Sequence, residues 1–220
     1  MRVEYQERLH LLESSLQEQG TLCLRAIRGA VDALTTQDVE LCDEVIAFDD
    51  EIDDRYHRIE KMVEETLALE TPVASDLRLV LAVLHNSIHL ERIGDQSVTI
   101  AKLTKLSAKF EPHHELVEGL REMGDRCEEM LRVALDSFAE RNVERARSLV
   151  ELDELVDRTN HRVTDKVLEM AATPGQQEWG MRMIIVSRCL ERIGDNAVDM
   201  GEQTVFLATG EFGAFEDASH

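Results

Sequence analysis

Carboxylates one helical turn apart occur at four places in this chain: Asp49/Asp53, Glu91/Asp95, Asp153/Asp157 and Glu191/Asp195. On a helix, residues i and i+4 project from one face, so each pair forms a two-oxygen pincer. Like charges at that spacing repel by about 0.2–0.5 kcal/mol unless a cation lies between them. A lone pair of this kind is ordinarily a solvated face, but four pairs repeated in register point to cation binding. His57 and His161 lie one further turn along. Asp-x-x-x-Asp-x-x-x-His can therefore offer two carboxylates and an imidazole to one ion or a small cluster, the alternative being that both histidines are simply exposed polar residues. Oxygen donors suit Mg, Ca or Mn, and imidazole moves the preference toward Fe, Zn or Ni.

The pairs belong to a tandem duplication. Leu90-Glu91-Arg92-Ile93-Gly94-Asp95 returns letter for letter as Leu190-Glu191-Arg192-Ile193-Gly194-Asp195, 100 positions later. Upstream the best spacing is 104, which sets Cys23 on Cys127 and Asp49, Asp53 and His57 on Asp153, Asp157 and His161. The change of spacing follows the Thr71-Pro72 and Thr173-Pro174 breaks, where loop length costs little. A period this long indicates two related domains and not a solenoid array.

Several function classes are disfavoured. With 45 acidic residues against 24 basic, the formal charge is −21, which repels nucleic acid and anionic lipid. The four cysteines, Cys23, Cys42, Cys127 and Cys189, show no Cys-x-x-Cys pairing and read as small core residues of a reducing compartment. No leader pattern and no run of about 18 apolar residues appears, so the expected location is the cytoplasm.

Long helices must position the carboxylates. The only prolines are Pro72, Pro112 and Pro174, and strong helix formers fill the stretches between them. Leu9, Leu12, Leu16, Leu24, Ile27, Val31 and Leu34 predict a first helix over 3–34, with Asp38 capping the second. A third begins near Ser75-Asp76. The pattern repeats with a fourth helix over 115–140, a fifth capped by Asn142 and a sixth over 176–208. Short connections between such helices imply an all-α chain of two tandem antiparallel three-helix bundles, six long helices in all. The domains are 1–110 and 113–209, each long enough to bury its own core, followed by a disordered tail over 210–220.

Other polar residues have structural readings. Arg92 and Arg192 are expected to pair with neighbouring carboxylates as locks, with anion binding as the alternative. Gly94 and Gly194 each cost about 1 kcal/mol in a helix, which argues for close approach of a helix or a ligand. His85 and His89 have metal-pair spacing, yet Ile185 and Cys189 stand in the second copy, favouring a polar strip or an interface contact. Glu7-x-x-His10 is one limb of a di-iron pattern whose other limbs are missing.

Tandem three-helix bundles with Asp-x-x-Ile-Asp on the second helix and a doubled Glu-Arg-Ile-Gly-Asp on the third resemble the PhoU family over residues 1–209. The Pro72 to Arg78 segment is similar to that family's Pro…Asp-Leu-Arg element. The resemblance implies a cytoplasmic, non-enzymatic negative regulator of the phosphate-starvation response and of phosphate uptake. It would link a phosphate ABC transporter ATPase to a sensor histidine kinase, reach the membrane only through those partners, and form a homodimer. It further implies divalent or trivalent metal ions, iron or zinc, at Asp49, Asp53, His57, Glu91, Asp95, Asp153, Asp157, His161, Glu191, Asp195 and Asp199, the last standing where the family commonly has Asn. Two other readings of the same acids are a metal-dependent enzyme with a carboxylate-bridged di-metal centre and a metal-free helical scaffold.

Overall fold

The computed structural model describes residues 2–170, 174–211 and 215. They form α1 (Arg2–Thr36), α2 (Val39–Glu70), α3 (Ala74–Ser107), α4 (His114–Glu140), α5 (Val143–Arg147), α6 (Leu149–Glu169) and α7 (Pro174–Thr209). None of these helices is long and apolar enough to cross a membrane.

The turns repeat with the sequence. Gln37 and Arg141 both take a left-handed conformation, with φ of 55° in each case. The next residue, Asp38 or Asn142, then caps the following helix by accepting the N–H of Leu41 or Arg145, both at 3.0 Å. Each cap residue also donates its own N–H back across the turn, to Ala33 O and to Ser137 O, a Schellman-type closure that satisfies carbonyls left over at the helix end. The expected fifth helix differs in being interrupted at Ser148, where α5 gives way to α6. The Ser148 hydroxyl donates to Arg145 O at 2.8 Å, a local bond that competes with the helical ladder. Glu44 stands at the equivalent place, and α2 runs through it.

Within the first half, α1 and α3 run parallel, with Cys23 Sγ donating to Leu90 O at 3.2 Å and Gln19 Nε2 to Ser87 O at 3.1 Å. Antiparallel α2 covers their outer side and meets neither α4 nor α6. The second half repeats this design, and Cys127 Sγ donates to Leu190 O at 3.1 Å. All four cysteines are buried thiols, as their composition suggested.

One hydrophobic cluster runs through both halves, so the two repeats bury a shared core although each is long enough for its own. Antiparallel contacts of α1 with α4 and of α3 with α7 build a central four-helix layer, leaving α2 and α6 on opposite flanks. The approach of α1 to α4 is close because glycines lie at the crossing. A Cβ at Gly124 would fall 2.4 Å from Val31 Cγ2, and one at Gly20 would fall 2.5 Å from Leu135 Cδ2. Beside this crossing, Arg28 and Arg132 both bind the carboxylate of the buried Glu128. In the other seam His85 Nδ1 meets Gln203 Oε1 at 3.2 Å and His89 Nδ1 meets Asn196 Oδ1 at 2.9 Å, while Arg182 donates to Leu106 O. That register sets Gly94 level with Gly194. The halves are thus related by an approximate two-fold axis across the helices.

The start of α3 is tied down on both sides. Tyr5 Oη donates to Asp76 Oδ2 at 3.0 Å, and Arg78 Nε reaches Leu207 O at 3.5 Å. Residue 173 of the second Thr-Pro break lies outside the described residues, as do 212–214 and 216–220 of the expected disordered tail. Phe215 is described: its N–H donates to Glu202 Oε1 at 2.8 Å, and its ring lies over Gly201.

Candidate metal-binding faces

The flanking helices carry the carboxylates. In the first half, α2 supplies Asp49, Asp53 and His57, and α3 supplies Glu91 and Asp95. Asp49 is half-buried against the motif helix, and its carboxyl is pushed up to about 6, first by burial and then by Asp53, Asp95 and Glu91. Glu91 is raised by burial, then by Asp95 and Asp53, with Arg92 and His57 opposing. Asp49 and Glu91 thus feel each other's neighbours across the α2–α3 face.

The second half forms an open cleft of about 440 Å³, lined by Asp153, Asp157 and His161 of α6 and Glu191, Asp195 and Asp199 of α7, together with Glu202, Phe215 and two valines. All six residues singled out from this half face it. Glu191 is raised by burial; Arg188, bonded to it at 2.7 Å, opposes, and Asp157 adds to the rise.

The motif glycines make room for an acid on the flanking helix. A Cβ at Gly94 would lie 3.0 Å from Asp49 Oδ1, and one at Gly194 would lie 2.8 Å from Asp153 Oδ1. Each helix loses about 1 kcal/mol of propensity to let a carboxylate oxygen rest on its backbone. Close helix approach, and close approach of the acid itself, therefore explains the glycines.

The two histidines differ. His161 Nδ1 lies 2.8 Å from the Asp157 carbonyl, which can only accept, so Nδ1 is the donor and Nε2 is the ring nitrogen not committed to this bond. A ligating imidazole is commonly held by such a bond. His57 instead turns toward Glu60, with Nδ1 3.7 Å from Oε2, and stacks at a tilt on Tyr56. Both are exposed.

Among the described residues no three of these donors stand close enough together to form a closed ligand set. Mutual repulsion disfavours a closed arrangement of like-charged carboxylates without a cation between them. The donor chemistry, hard oxygens with an available imidazole nitrogen, and the glycine cradle under Asp49 and Asp153 fit a multivalent cation.

Asp199 occupies two environments, since it lines the cleft and lies 3.6 Å from His89 across the α3–α7 seam. Burial raises its carboxyl, and His89 and then Arg92 oppose the rise. His85 and His89 thus serve the seam between the halves. The expected locks at Arg92 and Arg192 are corrected: both are exposed, and among the described residues neither guanidinium makes a hydrogen bond or a close ion pair. Each pointing outward, they offset Glu91 and Glu191 only at longer range. On α1, His10 is an exposed partner of Glu13, on a helix that carries none of the acidic pairs. Glu202 escaped notice in the sequence, although Glu191, Asp195, Asp199 and Glu202 continue one stripe at spacings of four, four and three.

The raised carboxyl of Asp49 has a measurable consequence in chelator-treated protein. The folded state binds this proton more tightly than the unfolded chain, so stability is highest below about pH 4 for this group and falls as pH rises through about 6. The effect should be on the order of 1 kcal/mol after solvent screening. Denaturation between pH 4.5 and 7 should show a steeper loss in the natural protein than in Asp49→Asn, and parallel curves would contradict the assigned environment.

Comparison with known proteins agrees with both halves of this description. The PhoU domain pattern matches residues 16–104 and again 120–204. The phosphate-specific transport system accessory protein PhoU homolog of Clostridium acetobutylicum is 32% identical over 209 residues, covering 94% of this chain and 95% of that protein. Crystal structures of PhoU from Pseudomonas aeruginosa and of the phosphate transport system regulatory protein PhoU from Streptococcus pneumoniae superpose with TM-scores of 0.88 and 0.87. They are 30% and 28% identical, covering 94% and 95% of this chain and 100% and 99% of theirs. With the pattern present in both halves and the likeness running over nearly the whole length, the chain belongs to the PhoU family.

Proposed function

We propose that this protein is a non-enzymatic accessory regulator of phosphate uptake, one that restrains the phosphate-starvation response when phosphate is abundant. It acts in the cytoplasm between a phosphate ABC transporter and a sensor histidine kinase, as a homodimer, and its acidic faces hold iron or zinc. The names of the similar proteins, an accessory and a regulatory protein of phosphate transport, support the physiological part of this reading. The observation that carries it is the duplication at the level of the site: each half sets the same carboxylates of a flanking helix against its own motif helix.

The chemistry favours binding over turnover. All four thiols are buried, and Cys23 and Cys127 are held protonated well above the ordinary range, first by burial. An attacking thiolate is therefore not supplied. A net charge of −21 suits partners with basic patches, whose association should weaken as salt screens it over a Debye length of about 8 Å.

Deleting the gene tests the reading. Starvation genes should switch on in phosphate-replete medium and be silenced again by the natural gene in trans. Normal repression in the deletion strain would reject the regulatory role. Metal-dependent hydrolysis or oxidation lost in Asp53→Ala with Asp157→Ala would promote the metalloenzyme in its place.

A further inference from the structure

We infer that the two acidic faces are unequal, with Lys102 supplying the first face with a tethered cation of its own and Asp199 and Glu202 making the second the tighter site for a multivalent metal ion. The inference rests on the reading that these faces take metal, and concerns how this chain divides it between them.

The duplication supplies the comparison. On α7, Asp195, Asp199 and Glu202 all line the second cleft with Asp153, Asp157, His161 and Glu191. The corresponding residues of α3, 100 positions earlier, are Asp95, Thr99 and Lys102. One acid has become a hydroxyl and another an ammonium. The Thr99 hydroxyl is engaged with its own helix, donating to Asp95 O at 2.9 Å.

Lys102 is placed to reach the first cluster. The antiparallel register of α2 and α3 is set by Lys105, whose Nζ lies 2.7 Å from Asp43 Oδ2, and by Gly94, which lies under Asp49. Between these levels, Lys102 faces the turn of α2 that ends at Asp49. It is exposed, and among the described residues its ammonium has no close ion-pair partner, so its charge is available to the cluster. Asp49 feels it, Lys102 being the group that opposes the rise of that carboxyl. On α7 position 205 is a buried valine, so neither lysine has a counterpart there.

Charge then separates the faces. Asp49, Asp53, Glu91 and Asp95 with Lys102 carry a net −3, and the six second-face acids with Arg188 bound to Glu191 carry −5. Arg92 and Arg192 each add one positive charge to their own faces, and Arg92 also reaches Asp199 across the seam, so the faces differ by one to two unit charges. One to two further unit charges within a few turns of a divalent ion, at the effective dielectric of a protein surface, change its affinity by about tenfold or more. Asp199 and Glu202 add donors as well as charge.

Titration of chelator-treated, full-length protein with Zn(II), followed calorimetrically and checked by equilibrium dialysis with metal analysis, should resolve two classes of site about tenfold or more apart. Lys102→Glu should tighten the weaker class and leave the stronger alone. Glu202→Lys should weaken the stronger class toward the other. Lys102 is exposed and Glu202 is half-buried in the wall of the cleft, and far-UV circular dichroism of each variant checks that the fold is retained. Two equal classes, or a weaker class indifferent to Lys102→Glu, would overturn this inference while leaving metal binding standing. No Zn(II) bound by the natural protein would overturn both.

Discussion

Alanine at Gly124 is expected to lower the unfolding free energy by about 2 kcal/mol, whereas alanine at Gly119, on the same helix, should raise it by about 0.5–1 kcal/mol. Both replacements add one methyl group, and both gain helix propensity and reduce the freedom of the unfolded chain. The difference lies in what the methyl meets. At position 119 the nearest neighbour, Val163 Cγ2, is 3.8 Å away, an ordinary contact. At position 124 Val31 Cγ2 would be only 2.4 Å away, with Cγ1 at 2.9 Å and Cβ at 3.2 Å. Val31 is buried and β-branched, so its rotamers are few, and α1 itself must retreat from α4. That movement would also stretch the Arg28 pairing with Glu128 at the same crossing, leaving a carboxylate of 8% exposure without one of its two guanidinium partners. Urea denaturation of both variants decides the matter. Equal effects of the two substitutions would mean that the halves are not held by this crossing.

Removing Glu191 and Asp195 together should abolish most of the metal bound in the second half while leaving the metal-free protein as stable as before, or slightly more so. The two acids lie one turn apart on α7 and face a cleft already crowded with Asp153, Asp157, Asp199 and Glu202. Without a cation, each like-charge neighbour costs about 0.2–0.5 kcal/mol, so truncating two of them relieves repulsion. With a cation the sign reverses, because binding to the folded state alone adds stability with the logarithm of ligand over dissociation constant. The measurement is therefore a pair of melting curves, with chelator and with Zn(II), for the natural protein and for Glu191→Ala with Asp195→Ala. A metal-induced rise in Tm should be large in the first and small in the second. If the variant melts far below the natural protein in chelator, the acids serve packing and the metal reading of this face fails. Arg188 is left without its partner in the variant, but as an exposed group it should cost little.

Several features were legible because they depend on near neighbours in the chain. Apolar residues at spacings of three and four marked six helices, and Asp38 and Asn142 were recognisable as caps because the cap bond reaches only three residues ahead. The carboxylate pairs were equally local, since one helical turn sets i and i+4 side by side. The duplication added a longer-range constraint: residues repeated in register at Asp49 and Asp153 had to fall in equivalent places. The break at Ser148 was not legible, since a single serine hydroxyl bonding back to a carbonyl leaves no periodic signature.

The chain by itself determined the all-helical class, the internal repeat, the family and the four carboxylate pairs, because periodicity, capping and duplication are written in residue order. Only the tertiary structure decided that the two halves share one core, that Arg92 and Arg192 point outward instead of locking the motif, that Asp199 faces His89 as well as the cleft, and that Lys102 lies beside the first set of acids while Glu202 completes the second. Each of these depends on how α1 meets α4 and α3 meets α7. Those approaches are governed by the fit of small and large side chains more than 60 positions apart, Gly124 against Val31 and Gly20 against Leu135, and the complementarity of such surfaces exists only once the helices have packed.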